Sequence, residues 1–288
     1  MANIRLFNIR NADQAKEYSG ENVQLERELQ RVVEKNMKLF FGIDFLCSEY
    51  IITDGRIDSL GIDENNCPVI FEYKRSCDDR VISQGLFYMD WMFNHKECFQ
   101  ILVRELCEET RANRINWANT RLICIAGDFT RYDLHAINVL PGNISLIRYK
   151  KFGNDLLMFE QVNESTNRTT NNTIRRNTNN QRIDDQRISD FYDNIRDYIF
   201  SLGDDVSEIQ LETYTAFKRF KNFVCILKLS RSIKLYLSLN PSEMIFEPGF
   251  SRDVTNIGHN GTGNVEIVIS SKKDIEKAQP FIRKAYNE

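Results

Sequence analysis

The sequence predicts an α/β domain with a mixed sheet, followed by a smaller α+β domain. Three features point there. Helix-like and strand-like apolar patterns alternate through the first half of the chain. A polar stretch rich in Asn, Thr and Arg interrupts it at 163–187. After that stretch a helix, three short apolar strands and a terminal helix follow one another. The expected division is therefore 1–162, a linker at 163–187, and 188–288.

The elements read in order as follows. Residues 22–40 carry apolar side chains at helical spacing. At about 100° per residue, Leu25, Leu29, Val32, Val33 and Phe40 define the arc expected to be buried. FLCSEYII (45–52), RIDSLGID (56–63) and PVIFEYK (68–74) read as strands. A long helix is expected from about Asp79, and RLICIAG (121–127) is a short apolar run suited to a buried strand. Residues 131–140 predict a further helix, and ISLIRYKKF and DLLMFEQV a closing hairpin. The 163–187 stretch has few large apolar residues, so it cannot bury enough surface to offset its ordering entropy. Its arginines (Arg168, Arg175, Arg176, Arg182) can trail along a phosphate backbone or simply solvate a linker. Beyond it, FYDNIRDYIFSLG is an amphipathic helix ending at Gly203. FVCILKL, KLYLSL and VEIVIS follow as strands, and DIEKAQPFIRKAY as the last helix.

Composition narrows the classes without choosing among them. With 288 residues, 42% of them hydrophobic and 27% charged, the chain can bury two ordinary cores. No apolar run approaches the roughly 18 residues of a membrane span. The first residues carry charge where a secretion signal needs an apolar centre, so a cytoplasmic location is expected. Seven cysteines occur without a C-x-x-C pair, and three histidines lie far apart, which disfavours zinc or disulfide frameworks. A net charge of −3 argues against electrostatic coating of nucleic acid. A local basic patch remains sufficient to hold phosphates.

The informative segment is GRIDSLGIDENNCPVIFEYKR, residues 55–75. The polar DENN cluster between two strands signals a hairpin. A turn centred on Asn65 sets Asp58 opposite Glu72, with Cβ atoms about 5 Å apart. Lys74 shares the face of Glu72, while Ile57, Val69, Phe71 and Tyr73 fall on the other. Two facing carboxylates in an apolar strand pair must share a proton, bind a cation or be pushed apart. Oxygen ligands with open positions suit Mg²⁺ or Mn²⁺. The lysine can orient or deprotonate an attacking water, or balance charge on a phosphorus centre. A solvent-facing hairpin kept soluble by its charges is the plainer alternative.

Two helices add candidates. Gln84 and Tyr88 are four apart and so share a helix face, where an amide and a phenol suit contacts to phosphate or water. Taken alone, the pair is better explained as a helix-boundary Gln beside a half-buried Tyr. On the first helix, Glu26 falls at the edge of the apolar arc, Glu28 just outside it, and Glu34 on the far side. Glu26 is the best third acid, although a favourable charge at a helix N-terminus accounts for it too.

At these residues the chain resembles the PD-(D/E)XK nuclease superfamily. Glu26, Asp58, Glu72-Tyr73-Lys74 and the Q-x-x-x-Y pair Gln84/Tyr88 occur in that family's order. The last pair resembles its RecB-like branch, and GRID…EYK its NucS-type endonucleases. The resemblance covers roughly residues 20–150, with Ile57 in place of the motif's Pro. It implies a restriction-endonuclease-like αβββαβ core. It also implies a metal held by Asp58, Glu72 and the Tyr73 carbonyl, Lys74 serving the nucleophile, and Glu26 acting through water. The implied activity is a Mg²⁺- (or Mn²⁺-) dependent DNA endonuclease. An RNA nuclease and a non-catalytic nucleic-acid-binding protein on the same scaffold are the alternatives. A homodimer is plausible because a double-strand cut usually needs two sites.

Residues 188–288 resemble an uncharacterised domain found attached to such nucleases. Lys218, Arg219 and Lys221, interleaved with Phe217, Phe220 and Phe223, can grip a backbone and stack on bases. The GHNGTG turn (258–263) can approach a phosphate. A charged strand edge and a tight hairpin loop explain the same stretches, and His259 reads as structural.

Overall fold

A computed structural model describes residues 4–9, 15–77, 80–140, 143–162 and 182–288. The chain forms two compact units, Met1–Thr166 and Asn167–Glu288. Most of the expected linker, with Arg168, Arg175 and Arg176, lies outside the described residues. Its last part does not behave as a linker, because the first helix of the second unit already begins at Arg182.

In the first unit the elements are β1 (Leu6–Asn8), β2 (Lys16–Tyr18), β3 (Gly20–Glu21), α1 (Glu26–Phe41), β4 (Ile43–Ile52), β5 (Gly55–Asp63) and β6 (Pro68–Lys74). Then come α2 (Val81–Asn94), α3 (Lys96–Leu106), α4 (Glu109–Ala112), β7 (Arg121–Ala126), α5 (Arg131–Val139), β8 (Asn143–Phe152) and β9 (Leu156–Gln161). The main sheet runs β3-β8-β7-β6-β5-β4, with β9 beside β8. Pairing is antiparallel from β4 to β6 and parallel from β6 to β8, so the sheet is mixed. The run α1-β4-β5-β6-α2-β7 is the expected αβββαβ order, with α3 and α4 inserted before β7. The long helix expected from Asp79 is broken: His95 leaves helical geometry (φ −131°, ψ 47°) and separates α2 from α3.

The hairpin register is set by its turn. Asp63 Oδ1 accepts the Asn65 and Cys67 N–H groups, each at 2.9 Å, and Asn66 takes the left-handed conformation at φ 59°. An Asn tolerates that conformation better than most residues. The pairs Ser59↔Phe71, Leu60↔Ile70, Gly61↔Val69 and Ile62↔Pro68 follow.

Helices cover both sheet faces. Phe71 meets Phe41 of α1, with ring centroids 5.7 Å apart. Its neighbour Ile70 belongs to the cluster containing Val81, Tyr88 and Met89 of α2. Successive strand residues point to opposite faces, so Glu72 and Lys74 share the α2 side. Ile57 departs from the expected alternation and joins the α2-side cluster, because the ladder with β6 ends before it. Two glycines allow the close packing. A Cβ on Gly61 would lie 2.4 Å from Ile43 Cγ2, and one on Gly85 would lie 2.5 Å from Leu122 Cδ1.

The buried side of α1 also differs from expectation. Leu29, Gln30, Val33, Met37 and Phe41 are buried, whereas Leu25 and Val32 are exposed. The buried arc is rotated so that polar Gln30 faces the sheet.

The second unit comprises α6 (Arg182–Phe200), β10 (Ser207–Gln210), β11 (Thr215–Lys218), β12 (Asn222–Lys228), β13 (Ile233–Leu237), β14 (Ser251–Asp253), β15 (Val265–Ile269) and α7 (Lys272–Asn287). Its antiparallel sheet has the order β10-β11-β12-β13-β15-β14. Ile195 and Ile199 of α6 and Ile282 of α7 share one core with Val224, Leu235 and Ile267. Among the described residues no helix is long and apolar enough to cross a membrane.

Candidate active site

The β5–β6 ladder stops at Ser59↔Phe71. Continuing that register by one residue places Asp58 across from Glu72. The Asp58 carboxylate there accepts the Tyr73 backbone N–H through Oδ2 at 3.0 Å. Glu72 is fully buried. Lys74 Nζ donates to Glu72 Oε1 at 2.7 Å, whereas Glu72 Oε2 has no hydrogen-bond partner. On the other side β7 runs parallel and apolar, with Glu72 beside buried Cys124. The carboxylate is thus enclosed on one flank by a medium that cannot solvate it.

The electrostatics follow from that enclosure. Burial, and then the charge of Asp58, push the Glu72 carboxyl up to about 8 against the opposing pull of Lys74. Burial also raises Asp58, while the Tyr73 N–H and Lys74 oppose the shift and the charges of Glu49 and Glu26 add to it. Burial acts to lower Lys74, but its hydrogen bond to Glu72 and the two acids outweigh that and raise it. In the metal-free site its ammonium therefore stays charged.

The α2 helix brings Gln84 and Tyr88 to the same place. Gln84 Nε2 donates to Tyr88 Oη at 2.8 Å, and both line an open cleft with Lys74, Asp54, Arg80, Ser83 and Phe87. Tyr88 is itself buried, its ring lying 3.0 Å from where a Cβ on Gly55 would be.

Glu26 is exposed, and its Oε1 accepts the Arg75 backbone N–H at 3.0 Å. No group of three or more His, Cys, Asp or Glu side chains among the described residues has an arrangement that could hold a metal ion. Glu26 therefore does not stand with Asp58 and Glu72 as a third direct ligand. The residues fit a hard cation through the two facing carboxylates, one of which carries the orphaned buried oxygen Oε2.

Two residues of this neighbourhood, Gln30 and Glu49, escaped the sequence reading, and a third, Glu34, was placed on the wrong side of its helix. Gln30 donates to the Asp58 carbonyl at 2.9 Å. Glu34, expected on the far side of its helix, instead accepts the Ser59 hydroxyl at 2.7 Å. Glu49 lies between the pairs Ser48↔Ser59 and Tyr50↔Ile57, hence opposite Asp58, and takes φ 56°. A left-handed Glu inside a strand is strained, a signal only the backbone reveals.

The basic segment of the second unit is not an exposed grip. Lys218 and Phe217 are buried. Arg219 pairs with Asp205 at 2.5 Å, stacks on the Tyr286 ring at 4.6 Å and donates to the Tyr286 carbonyl. Phe223 is buried as well, and only Lys221 of the three cations is exposed. His259 stacks on Tyr236 with centroids 4.1 Å apart, while Gly261 and Gly263 take φ 90° and 138° against Cys225 and the β13 backbone.

Comparisons with known proteins place these units among others. Residues 178–288 match a family described as a domain of unknown function (DUF5655). An uncharacterised protein of Haemophilus influenzae is 27% identical over 280 residues, 91% of this chain and 93% of that protein. The crystal structure of a repair endonuclease from Pyrococcus abyssi aligns with 45% of this chain and 50% of that one, at 20% identity and a TM-score of 0.30. A structure of an EndoMS–dsDNA complex aligns with 44% of this chain and 47% of that one, at 19% identity and a TM-score of 0.31. The chain spans about half the length of these two solved structures.

Proposed function

We propose that the first unit is a metal-dependent phosphodiesterase acting on DNA, cutting within strands. The observation that carries this reading is Glu72. It is a fully buried carboxylate facing Asp58, with Lys74 on one oxygen and no partner on the other. Burying an ionisable group costs several kcal/mol unless it is paired or coordinated. A half-satisfied pair of facing acids is therefore an arrangement that a divalent cation completes.

Asp58 and Glu72 would hold Mg²⁺ or Mn²⁺, with the Tyr73 carbonyl as a third oxygen. When bound, the ion supplies Lewis-acid polarisation and lowers the pKa of a coordinated water. Lys74, held charged beside Glu72, offsets negative charge developing on the phosphate. Gln84, oriented by Tyr88, offers an amide to a phosphate oxygen or to the attacking water across the cleft. Glu26 steadies the chain beyond Lys74 through Arg75, and its charge reaches both acids. DNA as substrate follows from the resemblance of the motif set to PD-(D/E)XK endonucleases.

The test is cleavage of labelled linear, circular and single-stranded DNA, with matched RNA, in Mg²⁺, Mn²⁺ or EDTA. Cutting of circular DNA that EDTA and Asp58→Ala both abolish supports the reading. RNA cut in preference to DNA replaces the substrate class.

A further inference from the structure

Three α1 side chains spaced four residues apart reach the strands that carry the two acids. Glu26 binds the Arg75 N–H just beyond β6. Gln30, 7% exposed, directs Nε2 at the Asp58 carbonyl (2.9 Å), Glu34 Oε1 (2.9 Å) and Ser48 Oγ (3.1 Å). Glu34 Oε1 also receives the Ser59 hydroxyl at 2.7 Å. Residues spaced by four lie along one side of a helix, so α1 turns a polar stripe toward the site. An amide nitrogen with two hydrogens and three acceptors is fully engaged. Inside a protein such a network is costly to leave partly satisfied.

The place that Gln30 grips is where pairing changes. The ladder between β5 and β6 ends at Ser59↔Phe71. At the next residue the Asp58 carbonyl is held by Gln30 and its carboxylate by the Tyr73 N–H. Both holds act on one residue.

We propose that Gln30 is a positioning residue that fixes the branch point of β5 and β6, and with it the spacing of the Asp58 and Glu72 carboxylates. Glu34 and Ser59 brace it. The catalytic consequence rests on the phosphodiesterase reading above, whereas the geometric claim stands apart from it.

The test replaces Gln30 by Met, which keeps length and removes the donor, in the full chain. Amide hydrogen exchange is followed by NMR without metal. The Tyr73 amide should lose at least about 10-fold of its protection relative to Leu60 and Ile70, a local opening rather than a global one. Val33→Ala, at a buried apolar neighbour on α1, should lower global stability without that local change. Mn²⁺ affinity should fall about 10- to 100-fold in Gln30→Met, the usual cost of losing a group that orients a ligand. On DNA, kcat should fall with KM unchanged, and excess Mn²⁺ should restore part of it.

Unchanged Tyr73 protection in folded Gln30→Met overturns the proposal. If that variant does not fold, Ser59→Ala is read in its place, with a smaller local loss expected and no loss overturning it. Lost protection with unchanged Mn²⁺ affinity overturns the link to the carboxylates. A wild-type chain that binds no Mn²⁺ and cuts nothing removes the phosphodiesterase reading, while Tyr73 exchange still decides whether Gln30 holds the branch.

Discussion

Lys74 Nζ lies 2.7 Å from Glu72 Oε1, and the two side chains are 14% and 0% exposed. The pair sits two residues apart on one strand face, so neither partner depends on a mobile loop. Glu72 is nonetheless only half compensated, because Oε2 has no donor. That imbalance carries the functional account and most of what can be tested.

Lys74→Ala should retain cation binding, since the two carboxylates remain. Turnover on DNA should fall by at least about 10²-fold, the scale for a group that stabilises developing charge. Wild-type turnover in this variant removes Lys74 from the mechanism. Lys74→Arg is not expected to rescue it, because a planar guanidinium does not replace a compact ammonium.

The metal-free protein should lose stability as pH rises from about 4.5 to about 8. Glu72 has its ordinary value near 4.5 when unfolded and about 8 in the fold, so the folded state prefers the protonated acid. Its contribution is fully present below the lower value and is lost as pH passes the higher one. Asp58, also raised, acts in the same direction. Urea melts at pH 5 and pH 8 should therefore differ less in Glu72→Gln than in the wild type. An equal difference in both proteins contradicts the assignment.

At pH 8 added Mg²⁺ should raise the unfolding midpoint, and EDTA should reverse it. At 100 times its Kd a ligand specific for the folded state contributes about 2.7 kcal/mol. Asp58→Ala should show no such response in differential scanning calorimetry.

Tyr88→Phe removes the hydroxyl that receives Gln84 Nε2 at 2.8 Å. The expected loss is about 0.5–1.5 kcal/mol of stability. Cleavage should drop with it, and Gln84→Ala should match that drop without adding to it, because the pair acts as one unit. Fully additive losses in the double variant would show two independent roles.

Much of this site was legible because strand and helix periods are rigid. A turn centred on Asn65 fixes a residue sum of 130, which brings 58 to 72, and the observed pairs keep that sum. The i, i+4 spacing puts Gln84 and Tyr88 on one helix face, and the Q-x-x-x-Y resemblance marks the pair as site residues. The first helix misled for a definite reason. Gln30 and Glu34 are polar, so hydropathy turns them outward, yet they face the sheet because Asp58 and Ser59 offer partners there. Lys218 misled in the opposite sense, its burial depending on β11 lying inside a sheet that sequence could not assemble. The short strands β3, β10, β11 and β14 carry too few residues to show a period and draw their order from the ladders beside them.

Arg219→Ala should act on stability alone. Its Asp205 pair is about one-third exposed on each side, so screening leaves it a small share, and the Tyr286 stacking adds a comparable one. Together they amount to about 1 kcal/mol. The salt dependence of DNA affinity should be unchanged, and a slope reduced by about one would return Arg219 to the phosphate-binding set.

The most direct test of the central claim is cleavage of supercoiled circular DNA by the full chain in Mg²⁺ or Mn²⁺, with Asp58→Ala and EDTA as controls. Nicked or linear product in the wild type, absent from both controls, is the predicted result. Intact DNA under every condition, or equal cutting by Asp58→Ala, would contradict it.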